Sequence, residues 1–251
     1  MVKRTSASHR SANEYELRIR RWDVSLAGRI NPNLSETVDC QSLCRNIWNA
    51  ASFKEILWHE MCSEYDARRL AEHLRKSRVE LSKEYRYFQR AWLRDENHHY
   101  LGFRHLYSTM YDVSSVALAR LVRARASGFS GLSPFLENEF RLCVLLAYDE
   151  MVTARAYAAD FPIYDSLGDK RLSMWIRGVC RDESLHCRNM VELLRLRYPV
   201  QLQDIPPMLD ELASFDSGAE EYTGTFVLDH QHFPASLLNG ARSAVLKLCR
   251  I

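Results

Sequence analysis

An all-α protein organised as a four-helix bundle with additional flanking helices is the fold this sequence predicts, on three observations. Gly and Pro are scarce, 9 and 7 in 251 residues, and most stand between long periodic stretches rather than inside them. Those stretches repeat apolar residues at intervals of three and four, the mark of one buried helical face. Period-two alternation is not sustained anywhere, so strands are not expected.

In chain order, the Ser- and Arg-rich start, free of acids until Glu14, reads as a partly disordered N-terminal arm over residues 1–35. A short helix is expected from Glu36 to Ala50. From Ser52 to about Ser77, Phe53, Ile56, Leu57, Met61, Leu70 and Leu74 keep the three-and-four spacing of a long helix. A second long helix runs from Glu80 to about Asp112, and Val113 to Ala126 forms a crossover helix. "SGFSGLSP", Ser127 to Pro134, is a loop, after which Pro134 and Asn138 suit a helix start. The third long helix is expected to reach Asp160 and stop at Pro162. The fourth runs from Asp169 to Tyr198 and ends at Pro199. Ser217 to Pro234 reads as irregular; its His230-x-His232 pair has no partner ligands nearby in sequence and is assigned to loop. A last helix covers Ala235 to Leu248. Each long helix spans roughly 40 Å at about 1.5 Å per residue, enough for a bundle whose middle lies far from both ends.

With 47% apolar residues in 251, the chain can bury one sizeable core, so residues 36–251 are expected to form a single domain around a bundle at about 52–198. The formal charge of +2 gives no reason to expect nucleic acid as a partner. Seven Cys without a Cys-x-x-Cys pair argue for reduced thiols rather than a disulfide framework or zinc ribbon. No apolar run approaches a bilayer span, so a cytoplasmic protein without a membrane partner is expected.

The chemistry is concentrated in a duplicated pattern. "RDENHHY", Arg94 to Tyr100, is echoed by "RDESLHC", Arg181 to Cys187, and both contain Asp-Glu-x-x-His. Residues three apart share a helix face, so Glu96 with His99, and Glu183 with His186, each present an oxygen and an imidazole nitrogen to one point. A single Glu-x-x-His is weak, because Glu and His commonly decorate solvated helix faces. Two copies in one chain are not expected by chance.

A dimetal site in a bundle core also needs one carboxylate from each of the other two helices. Glu150 precedes Glu183 by 33 residues and Glu64 precedes Glu96 by 32. Each half therefore reads Glu, helical turn, Glu-x-x-His, with turn midpoints near 80 and 166. Glu60, one turn before Glu64 on nearly the same face, is the alternative first-helix ligand. Four carboxylates in a bundle interior repel one another, and two divalent cations make such a core tolerable. Mostly hard oxygen donors suit iron or manganese better than structural zinc. Asp95 and Asp182 are placed to orient the His of the opposite motif, Asp95 with His186 and Asp182 with His99, or else are exposed acids.

These residues resemble the ferritin-like dimetal-carboxylate proteins, among them acyl-carrier-protein desaturases, aldehyde-deformylating oxygenases, ribonucleotide reductase small subunits and rubrerythrins. The resemblance covers roughly Phe53 to Tyr198, and Glu64, Glu96, His99, Glu150, Glu183 and His186 match the family's six ligands. "EMVT" from Glu150 looks like the desaturase pattern, which places the Thr153 hydroxyl near the oxygen site as a catalytic candidate; a bond back to its own helix is the other reading. "EYDAR" from Glu64 looks like the rubrerythrin first helix, but the Cys-x-x-Cys iron domain found there is absent. Val179 and Cys180 stand where arylamine N-oxygenases carry a further His. The resemblance implies an oxygen-dependent oxidase or oxygenase, using two Fe ions or a Mn/Fe pair and O2 as co-substrate. Its substrate would be a small or carrier-bound organic molecule, hydroxylated, desaturated or oxidatively cleaved. No flavin or nicotinamide signature appears, so electrons would come from an external ferredoxin or reductase. A homodimer is compatible with this reading. Iron handling by a ferroxidase is the alternative function.

Overall fold

The computed structural model describes residues 50–218, 225–230 and 232–250. The arm expected over residues 1–35 and the helix expected from Glu36 lie outside those residues. Helices α1 (Ala50–Ser77) and α2 (Lys83–Tyr111) form one hairpin, α3 (Ser115–Ala124) crosses over, and a 3-10 turn (Ser130–Phe135) leads into the rest. Helices α4 (Glu139–Ser166) and α5 (Lys170–Arg197) form the second hairpin. A 3-10 turn (Gln201–Asp204), α6 (Ile205–Gly218) and α7 (Ala235–Cys249) follow, and among the described residues every regular element is helical. No described helix is long and apolar enough to cross a membrane.

Local chemistry fixes the helix ends. The Ser82 hydroxyl accepts from the Tyr85 N–H to start α2, Asn138 does the same for α4 through Arg141 N, and Asp169 accepts from Arg171 N and Leu172 N at α5. Such caps each stabilise a helix by about 1 kcal/mol. Asp112 closes α2 in the left-handed region at φ 50°, a conformation that Asp tolerates better than most residues. The two hairpin turns fall at residues 78–82 and 167–169, where the ligand spacing required them.

Two expectations change. Pro162 does not stop α4, which continues to Ser166. The ring removes one backbone bond, but Pro162 and Ala158 are both exposed, so the break falls on the solvent side of the helix. Beyond it, Tyr164 is fully buried and packs edge-on against Phe53 of α1, ring centroids 5.6 Å apart. Helix α6 is an addition to the expected elements, with Pro206 and Pro207 in its first turn, where no intrahelical N–H is required.

The hairpins differ in cover. Helix α4 is buried almost all round from Leu142 to Tyr148, because α6 and α7 pack against it from outside, as an all-apolar helix requires. Helices α2 and α5 meet closely at Gly102, where a Cβ would lie 2.2 Å from the Trp175 ring. Only glycine allows that approach.

The buried apolar residues fall into two clusters. One holds Phe53, Leu57, Met61, Phe103, Tyr157 and Ile176. The other holds Leu70, Phe88, Trp92, Leu145, Met190 and Leu209. Along all four long helices the switch from one cluster to the other occurs within a turn or two of Glu64, Glu96, Glu150 and Glu183. A polar layer therefore crosses the middle of the molecule, sealed by hydrocarbon on either side.

Candidate metal centre

That layer contains Glu64, Glu96, His99, Glu150, Glu183 and His186, and all are buried. Helical spacing turns each Glu-x-x-His pair to one side, and the matched hairpin registers bring the two pairs face to face. His99 Nδ1 lies 3.0 Å from Glu64 Oε2 and 3.0 Å from Glu183 Oε1. His186 Nδ1 lies 3.1 Å from both Glu150 Oε2 and Glu96 Oε1, and 3.2 Å from Glu183 Oε2.

Two groups of ligand atoms result, each within 4.8 Å of one another: Glu64, Glu96, His99 and Glu183, and Glu96, Glu150, Glu183 and His186. Each has three carboxylates and one imidazole and could hold a metal ion. Glu96 and Glu183 belong to both groups, while Glu64 with His99 and Glu150 with His186 each serve one. Glu183 turns one oxygen toward each imidazole.

The far ring nitrogens face the two aspartates, both buried: His99 Nε2 is 3.3 Å from Asp182 Oδ2, and His186 Nε2 is 3.5 Å from Asp95 Oδ2. Each Asp thus lies beside the His of the opposite motif. With Nε2–H held by a carboxylate, Nδ1 is the ring nitrogen that faces the cluster and would donate its lone pair to a metal ion. Arg94 extends one chain outward, with its guanidinium 3.3 Å from Asp95.

The electrostatics also fit a cation. Two unit charges about 4 Å apart repel by about 4 kcal/mol at a protein-like effective dielectric, and four carboxylates meet here. Burial, with Glu183 alongside, pushes Glu96 and Glu150 well above the usual carboxylate range. Burial pushes Glu183 the same way, but the imidazoles of His186 and His99 outweigh it and hold this carboxyl far below that range. Burial would lower both imidazoles, yet the carboxylates around them raise His99 and His186 well above the usual histidine value. Protons thus neutralise the cluster in the absence of other positive charge. Glu96 Oε1 and Glu183 Oε1 are fully buried and face the ligand imidazoles, His186 at 3.1 Å and His99 at 3.0 Å, so oxygen and nitrogen lone pairs converge where a metal ion could sit.

Glu64, not Glu60, is the α1 carboxylate in the cluster. Glu60 is buried one turn away, and burial, with Glu64 nearby, raises it well above the carboxylate range, so it is held as a neutral acid. The Tyr157 hydroxyl donates to Glu64 Oε1. Tyr157 was not singled out from sequence, although it stands seven residues after Glu150 on the same face of α4. The Thr153 hydroxyl donates to the Asp149 carbonyl oxygen of its own helix at 3.1 Å.

The other singled-out residues do not join the centre. His230 Nδ1 donates to Asp216 Oδ2 at 3.0 Å, and the His230 backbone N–H donates to Asp216 Oδ1, tying the segment before α7 to α6. Cys187 is buried among apolar side chains and Cys180 donates to the Ala154 carbonyl at 3.2 Å, so both serve packing. Burial lowers His59 to about 4, keeping the ring neutral against the edge of Phe226. Glu139, buried, accepts from the Tyr198 hydroxyl at 3.0 Å.

Comparison of the chain with protein-family models, with curated proteins and with solved structures found no match.

Proposed function

We propose that this protein is an oxygen-dependent oxidase or oxygenase of the ferritin-like dimetal type, acting on a small or carrier-bound organic substrate. The observation that carries the reading is the sharing of Glu96 and Glu183 between two otherwise separate Glu and His groups. A single-ion site needs no shared carboxylates, whereas a pair of ions side by side is held by them. Two iron ions, or a manganese and iron pair, would supply reduction of O2 to an oxidant able to attack C–H or N–H bonds.

The chain's own groups do the rest. Glu64 and His99 would hold one ion and Glu150 and His186 the other, with Glu96 and Glu183 belonging to both groups. Asp182 and Asp95 keep the imidazoles in one tautomer and orientation. The two hydrocarbon clusters exclude bulk water, which limits unproductive loss of the oxidant. Tyr157 holds its proton on Glu64 Oε1, on the oxygen other than the one facing His99. Electrons come from an external ferredoxin or reductase.

The test is anaerobic loading with Fe(II), followed by the optical spectrum on mixing with oxygen. About two irons per chain and a transient oxygen-dependent absorption, both lost in Glu96→Ala, are expected. Failure to bind iron would overturn the reading, and uptake of many irons per chain would replace it with iron storage.

A further inference from the structure

A groove of about 520 Å³ opens between α1 and α2 and reaches the centre, for Glu64 and Glu96 belong to its lining. Its volume lies in the range of small-molecule sites. Five arginines surround it, Arg68, Arg90, Arg94, Arg104 and Arg123, with Tyr65, Tyr100, Leu93 and Leu101 between them. Among the described residues the carboxylates lining it are Glu64 and Glu96, both buried at its inner end and both turned toward the imidazoles.

The arginines are not equivalent. Arg68 pairs with Glu72 at 3.6 Å and Arg94 with Asp95 at 3.3 Å. Arg104 stacks on the Tyr100 ring, 5.2 Å from its centroid, and donates to the hydroxyl at 3.4 Å. Among the described residues no ion pair engages Arg90 or Arg123. Hairpin register places Arg68 opposite the Arg90 to Arg94 stretch, on one side of the Glu64 and Glu96 level, and Arg104 on the other. Arg69 donates to the carbonyls of Val122 and Arg123 at 2.9 and 3.1 Å, which brings the end of α3 to that same level. Three helices thus converge guanidinium groups on one end of the groove, and the two that form no ion pair among the described residues are Arg123 and Arg90, the latter lying 5.8 Å from the centroid of the exposed Tyr87 ring.

We propose that the groove binds an organic acid, its carboxylate or phosphate held by Arg90 and Arg123 and its apolar body lying along Tyr65 and Leu93 toward Glu64 and Glu96. The identification of that acid as a substrate rests on the dimetal reading above. Planar guanidinium groups match both oxyanions with paired N–H donors, which a neutral head group cannot use. Arg90 and Glu96 are six residues apart on α2, about 9 Å along the helix. The carbon presented to the centre is therefore several bonds from the acid group.

The experiment is calorimetric titration of the metal-loaded protein at low salt with 4-phenylbutanoate, 3-phenylpropyl phosphate and the neutral 4-phenylbutanamide. It is repeated on Arg90→Gln/Arg123→Gln, two exposed side chains, and on the half-buried Arg104→Gln, none of them a member of the buried carboxylate layer. At least one acid is expected to bind about tenfold or more tightly than the amide. The double variant is expected to erase that preference and Arg104→Gln to retain it, and the tighter acid names the head group. Equal binding of acids and amide, no binding of any probe, or an acid preference that survives the double variant overturns the proposal. Metal content is read on the same samples. Acid preference in a chain that holds no metal keeps the groove and sinks the dimetal reading, while two metals without acid preference does the reverse.

Discussion

The two hairpins carry the same ligands and differ in what lies outside them. In the second, α4 is jacketed by α6 and α7, and its ligand Glu150 is set in a helix that is apolar on nearly every side. In the first, α3 and the segment at Phe226 cover part of α1 and α2, and beside them a groove lined with arginine descends to Glu64 and Glu96. The two groups of ligand atoms have matching donors, three carboxylates and one imidazole each. Their cover does not match. One hairpin supplies rigidity and dryness, and the other supplies access.

The sharpest break in that symmetry of ligands comes from removing a shared one. Glu183→Ala is expected to reduce bound metal from about two per chain to about none, whereas Glu64→Ala and Glu150→Ala each leave about one, counted by elemental analysis after dialysis. Equal losses in all three variants would mean that the groups are not linked through Glu183.

Metal removal is expected to expose the charge balance of the layer. In the metal-free fold His99 and His186 are raised above their ordinary 6.5, so the stability they contribute is fully present below that pH and lost as pH rises through their folded values. Glu96 and Glu150, also raised, oppose folding increasingly as pH climbs above the ordinary 4.5 and they ionise. Glu183, lowered, works in the other direction and loses its contribution only in acid. The chelated protein should therefore melt at lower temperature at about pH 8.5 than at about pH 6, and metal should remove that slope. A flat profile for the chelated protein would contradict the charge assignment.

Asp182→Asn and Asp95→Asn test the crossing of support between hairpins. Each should weaken metal binding by about 10- to 100-fold. The loss from Asp182→Asn should fall on the ion beside His99, in the other hairpin, as resolved by stepwise titration. Smallest is Gly102→Ala, which sets a methyl against Trp175 where α2 meets α5. It should destabilise by about 1–3 kcal/mol in denaturant melts, despite the better helix propensity of Ala.

Much of the centre was legible in sequence because helical periodicity converts spacing into geometry. Glu96 with His99 and Glu183 with His186 needed only the i, i+3 rule. The near-equal offsets to Glu64 and Glu150 needed only a turn halfway, and Asp95 and Asp182 needed only the ordinary partner of a ligating imidazole. Glu60 and Glu64 lie one turn apart on nearly the same face, so their separation required the packing of α1 against Tyr157. Pro162 misled because its cost depends on whether the freed carbonyl meets water, which is a tertiary fact. Helix α6 was hidden by Pro206 and Pro207, which are breakers inside a helix and harmless in its first turn. The arginine-lined groove was invisible for a different reason: Arg90 and Arg123 belong to different helices, and tertiary bonds, those of Arg69 to α3 among them, bring them to one level.

The most direct test of the central claim is anomalous diffraction at the iron edge from crystals grown with Fe(II) under nitrogen. The account predicts two peaks per chain, one among Glu64, Glu96, His99 and Glu183 and the other among Glu96, Glu150, Glu183 and His186. A single peak, or peaks away from Glu96 and Glu183, would contradict it.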